Sequence, residues 1–255
     1  MKKLLKGLLV AVMALTVTAC GNSKEDTKET KTLTVGISPD YAPYESLDKN
    51  GNIIGFDIDM VKLFEGYLKE EEGVDYKLEF KQMDFDNIVT QIQGDQIDLG
   101  ISGFTYDEKR EVEWSNPYLG SSQVAVLPKD SKITKVSELE GKKLAAQTGA
   151  TGETAAKDVK GAEVVGMKNV QDIFNGLAAH QFDGAVVDLG VAKNYVNNGE
   201  FKMLNESLLD EKNYIIAKKG NTEVIDKINK CIAKFVASED YKKLCEKYDL
   251  SPLEK

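Results

Sequence analysis

Apolar and polar positions switch between two periods along the chain. LTVGIS (33–38) is a short apolar run of strand character, and YKLEFKQM (76–83) alternates with period two. Between them Ile58, Val61, Phe64 and Leu68 recur at helical spacing, which predicts a helix from Asp57 to about Glu70 with Asp57 as its N-cap. Ile88, Val89 and Ile92 mark a second helix, and IDLGIS (97–102) a third strand. This alternation indicates an open, mostly parallel α/β sheet. The pattern then restarts with QVAVL (123–127), a short helix and a strand within KVSELEGKKLAAQTG, and EVVGM (163–167). A helix over 170–180, DGAVVD (183–188) and FKMLN (201–205) continue it. NYIIAKK (213–219) opens a closing segment with helices over 222–237 and 239–248. Two α/β units in tandem invite a two-domain reading. No Gly/Ser- or Pro-rich linker separates them, so the hinge is expected to be made of strands.

The first thirty residues follow a different rule. Lys2, Lys3 and Lys6 precede an uncharged run from Gly7 to Ala19, shorter than the ~20 residues a membrane-spanning helix needs. A basic head, a short apolar stretch and small residues at its exit describe a secretory signal over 1–19. Val17-Thr18-Ala19-Cys20 resembles a bacterial lipobox, whose Cys becomes the lipid-modified, palmitate-bearing first residue of the mature protein. Residues 20–31, which include the wholly non-apolar GNSKEDTKETK, are then a lipid-anchored flexible linker. The expected location is extracytoplasmic, at the cell membrane through that anchor.

Composition narrows the function. The 255 residues carry a formal charge of −9, and removing Lys2, Lys3 and Lys6 with the signal makes the remainder more acidic still. An acidic surface argues against nucleic acid as a partner. One His and three scattered Cys cannot assemble the usual zinc spacings, and neither metal nor cofactor is expected. Cys231 and Cys245 flank Ser238 at equal distance, so a helical hairpin there permits a disulfide; two independently buried thiols are the alternative.

Ligands of doubly wound sheets sit outside the carboxyl ends of the strands. Ser38, Tyr41 and Tyr44 follow the first strand, and Phe85 the second. Ser102, Gly103, Thr105 and Arg110 follow the third. Gln147, Thr148, Gly149 and Thr151 follow the strand ending near Ala146, and Asp188 ends DGAVVD. Each has a plain structural alternative. Arg110 would be a solvated charge, Asp188 a helix N-cap, Tyr41 and Phe85 core or rim aromatics, and Thr105 and Thr151 turn residues.

Six segments in order make the chain similar to a known family: VGISPDYAPYE, NGNIIGFDIDMVKLF, MDFDNIVTQIQGDQIDLGISGFTYDEKR, SNPY, LEGKKLAAQTGATGE and FDGAVVD. They resemble bacterial solute-binding protein family 3, the polar-amino-acid receptors of ABC importers, over about residues 32–250. The resemblance implies a two-lobed, periplasmic-binding-protein-like α/β fold (type II, Venus flytrap) with two hinge strands. Lobe 1 would comprise 32–121 and 214–255, and lobe 2 would comprise 122–213. Arg110 matches the Arg that holds the ligand α-carboxylate, with Thr105, the Gly103 backbone and Thr151 as further contacts. Asp188 matches the acid paired with the α-ammonium, and Tyr41 and Phe85 match aromatics that sandwich the ligand side chain. Ser38, Ser102 and Gln147 stand where side-chain recognition varies. The segment between Arg110 and SNPY is shorter than is usual, and Trp114 stands where Phe is usual. Gln147 and Ser38 suit an amide or a guanidinium, and Asp40 and Glu45 suit a cation. The expected partners are therefore a free polar or basic amino acid (arginine, lysine, histidine or glutamine class), an ABC permease and the membrane, with the protein a monomer. Two alternatives are an enzyme on the same scaffold, of the cyclohexadienyl dehydratase kind, and a ligand-sensing lipoprotein or adhesin. With no cleft His or paired-carboxylate motif, a non-enzymatic role is expected.

Overall fold

The computed structural model describes residues 30–253. The expected signal, the lipidation site Cys20 and most of the expected linker lie outside the described residues. The chain begins with β1 (Thr30–Ile37), β2 (Asp40–Tyr41), β3 (Glu45–Leu47), β4 (Ile53–Ile54), α1 (Phe56–Glu72) and β5 (Asp75–Gln82). It continues with α2 (Phe85–Gln93), β6 (Leu99–Gly100), β7 (Val112–Trp114), β8 (Leu119–Pro128), a 3-10 turn (Val136–Leu139) and β9 (Lys143–Gln147). Then come α3 (Thr151–Asp158), β10 (Glu163–Met167), α4 (Val170–Ala178), β11 (Gly184–Asp188) and α5 (Leu189–Val196). β12 (Phe201–Asn213), β13 (Ile216–Lys218), α6 (Thr222–Val236) and α7 (Glu239–Tyr248) complete it.

Two five-stranded sheets organise these elements, in the orders β5-β1-β6-β13-β7 and β10-β9-β11-β8-β12. In each, the helix-connected strands run parallel: β1 with β5 and β6, and β9 with β10 and β11. The remaining strands are antiparallel additions. The first sheet takes β13 from late in the chain, so it combines early and late strands, while the second sheet takes its strands from the middle. Thr30 and Lys31 pair with Asp75 and Tyr76, so β1 begins inside the segment expected to be linker.

α1 forms because Phe56, Met60, Val61, Phe64 and Leu68 make one apolar stripe, and it stops at Gly73, whose φ of 72° is left-handed. Phe56 and Phe64 pack edge-on against Phe235 of α6. Each such fully buried side chain contributes about 1.5–3 kcal/mol. Asp57 is not the N-cap the spacing predicted. Gly55 holds that position, and the first-turn amides of Phe56 and Asp57 donate to the carbonyls of Pro43 and Tyr44. The Asp57 carboxylate is thereby released to turn inward.

The connection between the sheets is strand-built, as expected. β8 and β12 pair antiparallel from Phe201↔Pro128 to Asn213↔Leu119, with register shifts around Ser207. Tyr118 and Ser115 continue the pairing by donating their amides to Asn213 and Ile215. β12 is much longer than the FKMLN strand expected, because its polar half follows β8 rather than an apolar period. α3 was not expected either, because its small and polar residues, TGETAAKD, carry no apolar period. The Cys231–Cys245 bond is not formed. Both are buried free thiols, and burial pushes them up to about 12 and about 11. They sit in the apolar packing among α1, α6 and α7, which needs no cross-link.

Candidate functional site

The carboxyl ends of the two sheets face each other, and the strand-end residues meet there. Tyr41, Phe85, Ser102, Gly103, Thr105, Gln147 and Thr151 line one cleft together with Gln123 and Ala150. Its cavity volume is about 10 Å³, room for no more than a water. An amino acid enters only if the lobes part.

Contacts across the cleft are specific. The hydroxyls of Thr105 and Thr151 are 2.6 Å apart. Asp40, after β1, accepts from the Val170 amide at the start of α4 (2.8 Å) and from Gln147 (3.4 Å). Ser38 donates its hydroxyl to Asp40 and its amide to Ser102, whose own hydroxyl donates to Glu45. The Tyr41 ring stacks on Tyr44 at 5.8 Å and packs over Gly103. At that position a left-handed φ of 57° favours glycine. Phe85, at the start of α2, stacks on Phe104 at 4.6 Å. Tyr41 and Phe85 thus both line the cleft, each backed by a second ring.

Ser38, Arg110 and Asp188 stand outside this lining, and the two charged residues are held by protein groups. The Arg110 guanidinium donates to the carbonyls of Thr105 (2.8 Å) and Gly149 (2.7 Å), the second across the cleft. It lies over the rings of Phe85 and Phe104, 5.7 and 5.4 Å from their centroids. Asp188 accepts from Tyr44 (2.5 Å), from Ser121, and from the Gly190 amide (2.9 Å), so it does cap α5. The plain structural alternative for Asp188 therefore holds, alongside a contact to the opposite lobe.

The site is crowded with carboxyl groups. Burial raises the pKa of Asp188 and Asp40 despite the donors around them. Glu45 and Asp57 lie against each other behind Ser102 and Gly103. Burial pushes both up, and the charge of Asp57 pushes Glu45 further, so a proton on Glu45 relieves the pair. Tyr118 and the Gly103 amide donate to Asp57. Glu211 on β12 is driven up to about 7, chiefly by burial. Every one of these carboxyl groups binds a proton more tightly folded than unfolded. Their contribution to stability is therefore present at low pH and lost as pH rises from about 4.5 through about 7. The ligand-free protein is expected to melt several degrees higher near pH 5.5 than near pH 8; a melt that rises with pH would contradict this.

Gln123 and Glu211 were not singled out from sequence, and Glu45 and Asp57 were named there only separately, as a charge that suits a cation and as an N-cap. The register of β8 against β12 sets Gln123 opposite Leu209, with Glu211 farther along the same strand. That pairing was the missing signal, since neither segment has a clean period.

A model of bacterial extracellular solute-binding proteins, family 3, matches residues 33–251. The chain is 29% identical to the arginine-binding extracellular protein ArtP of Bacillus subtilis (strain 168), over 97% of this chain and 98% of that protein. It superposes on a crystal structure of the substrate binding protein of an amino acid ABC transporter with a TM-score of 0.77 and 32% identity, covering 85% of this chain and 98% of that one. A third match, with a TM-score of 0.76, 31% identity and coverage of 85% and 95%, is the ancestral amino acid-binding protein AncCDT-1, a precursor of cyclohexadienyl dehydratase. The protein is a two-lobed member of the bacterial extracellular solute-binding proteins, family 3.

Proposed function

We propose that the protein captures a free polar or basic amino acid, of the arginine, lysine, histidine or glutamine class, between its lobes. It presents that ligand to an ABC permease while tethered at Cys20. The observation that carries the reading is the meeting of Thr105, Thr151 and Arg110 at one interlobe point, with Asp188 nearby and Tyr41 and Phe85 lining the walls. A free amino acid presents one carboxylate and one ammonium on adjacent atoms. Burying it requires an Arg and an acid a few Å apart, each otherwise satisfied. Arg110 suits the carboxylate because its planar fork donates two parallel hydrogen bonds. The Gly149 carbonyl serves as that fork's partner across the closed cleft, and a ligand carboxylate would displace it. Ser38, Ser102 and Gln147 would read the side chain, with Asp40 supplying negative charge. Similarity to ArtP supports the basic end of the class.

In this reading 32–121 with 214–255 and 122–213 move as two bodies about β8 and β12. The ligand bridges them, and its higher affinity for the closed form drives closure. A thermal-shift screen of the twenty amino acids tests the reading. Arginine, lysine, histidine or glutamine should raise the melting temperature, and a flat response to all twenty would refute it.

The rival reading, a dehydratase, draws on Glu211, a carboxyl group bonded to the cleft residues Gln123 and Thr151 with its pKa driven up to about 7, and on the likeness to AncCDT-1, itself an amino acid-binding precursor of such an enzyme. Turnover of a bound ligand detected by mass spectrometry would establish it.

A further inference from the structure

Glu211 lies on β12, at the edge of a neighbouring cavity of about 750 Å³, and reaches the cleft through the lining residues Gln123 and Thr151. Its Oε1 accepts from Gln123 Nε2 (2.5 Å) and Thr151 Oγ1 (3.1 Å), while its Oε2 is buried with no donor. Gln123 Oε1, from the cleft lining, is likewise buried without a donor. Two orphaned acceptors on adjacent strands lack a donor-rich partner, and buried acceptors left unpaired are costly. Asp188 differs, because its two oxygens already receive Tyr44, Ser121 and the Gly190 amide. A carboxylate has room for about four donors, so Asp188 has little acceptor capacity left for an incoming ammonium. Thr151, which donates to Glu211, also touches Thr105 across the cleft, so Glu211 stands at the end of the site where the α-groups of an amino acid would lie.

We propose that Glu211 is a second ligand-binding carboxylate, which together with Asp188 receives the α-ammonium of the bound amino acid, with Gln123 Oε1 accepting a further N–H. The inference rests on the amino-acid-binding reading above. An ammonium carries three N–H donors and no acceptor, which matches the orphaned oxygens. Its charge also relieves the repulsion between Glu211 and Asp188. The charged and titratable groups facing Glu211 are Asp188 on β11, Arg110 after β6 and Tyr41 on β2. Arg110 favours the ionised form, and Asp188 with burial opposes it. Because Glu211 belongs to a hinge strand, a ligand bound to it pulls on the element about which the lobes turn.

The test is calorimetry on the purified protein with two probes, L-arginine and 5-guanidinopentanoic acid, which keeps the carboxylate and guanidinium but lacks the α-ammonium. At about pH 8, Glu211→Gln should weaken L-arginine by roughly 10- to 100-fold and shift the des-amino probe by less than about threefold. Protonation of Glu211 removes the acceptor charge, so wild-type affinity for L-arginine should fall by roughly tenfold from about pH 8 to about pH 6. The variant should stay nearly flat over that range. The wild-type pH series needs no substitution and stands even if the variant folds poorly. A variant that binds L-arginine as tightly as wild type, or that loses both probes equally, overturns the assignment of Glu211. A wild-type protein that binds no amino acid overturns the underlying reading and this assignment with it.

Discussion

Replacing Arg110 with Ala should weaken amino-acid binding by at least a hundredfold in calorimetry, because in the proposed reading its guanidinium receives the ligand carboxylate. Truncating one partner of a buried, hydrogen-bonded charge pair costs roughly 2–5 kcal/mol, which is about 30- to several-thousand-fold in affinity. The structure adds a second loss. The guanidinium also joins the lobes through the Gly149 carbonyl and covers Phe85 and Phe104, so Arg110→Ala weakens closure itself. A modest fall in the melting temperature of the ligand-free protein is therefore expected, not the unchanged melt of a surface substitution. Arg110→Lys separates the two roles. It keeps the charge and loses the fork, and binding should remain at least tenfold weaker than wild type. Wild-type affinity in either variant would remove Arg110 from the site.

The largest effect on stability should come from Gly55→Ala. Gly55 has a φ of 141° and a ψ of −178°, a region essentially restricted to glycine. An added Cβ would lie 2.1 Å from the Tyr44 carbonyl oxygen, against rigid backbone. The same carbonyl accepts the Asp57 amide that begins α1, so neither side can yield without opening the helix start. Strain and the lost hydrogen bond together predict a destabilisation of about 3 kcal/mol or more. Chemical denaturation measures it, and a loss below 1 kcal/mol would show that the loop carrying Tyr41 and Tyr44 relaxes freely. Ligand affinity should fall as well, since that loop supplies the ring over Gly103 and the hydroxyl that meets Asp188.

Elements with a strong period were legible from the residues. α1 and α6 carry continuous apolar stripes, and β9 and β11 have short, buried apolar centres, Leu144 to Ala146 and Ala185 to Val187. Strand ends then pointed to Ser102, Gly103, Thr105, Gln147 and Thr151, because the fold class itself dictates where a cleft forms. What remained hidden was set by long-range pairing. The polar half of β12 has no period, and only its alignment with β8 carries Glu211 to the cleft. Asp57 looked like a cap because its place before an apolar stripe is that of a cap. The Pro43 and Tyr44 carbonyls take that duty, and Asp57 becomes a buried acid instead. The disulfide was open on spacing, and both cysteines stay free thiols within an apolar cluster. Mass spectrometry of the mature protein tests the expected signal cleavage and the expected lipid at Cys20.

A crystal structure of the protein grown with L-arginine tests the account most directly. The account predicts the ligand carboxylate on the Arg110 guanidinium and the hydroxyls of Thr105 and Thr151, its ammonium at Asp188 and Glu211, and its side chain between Tyr41 and Phe85. Arginine bound elsewhere, with the Arg110 fork still on the Thr105 and Gly149 carbonyls, would contradict it.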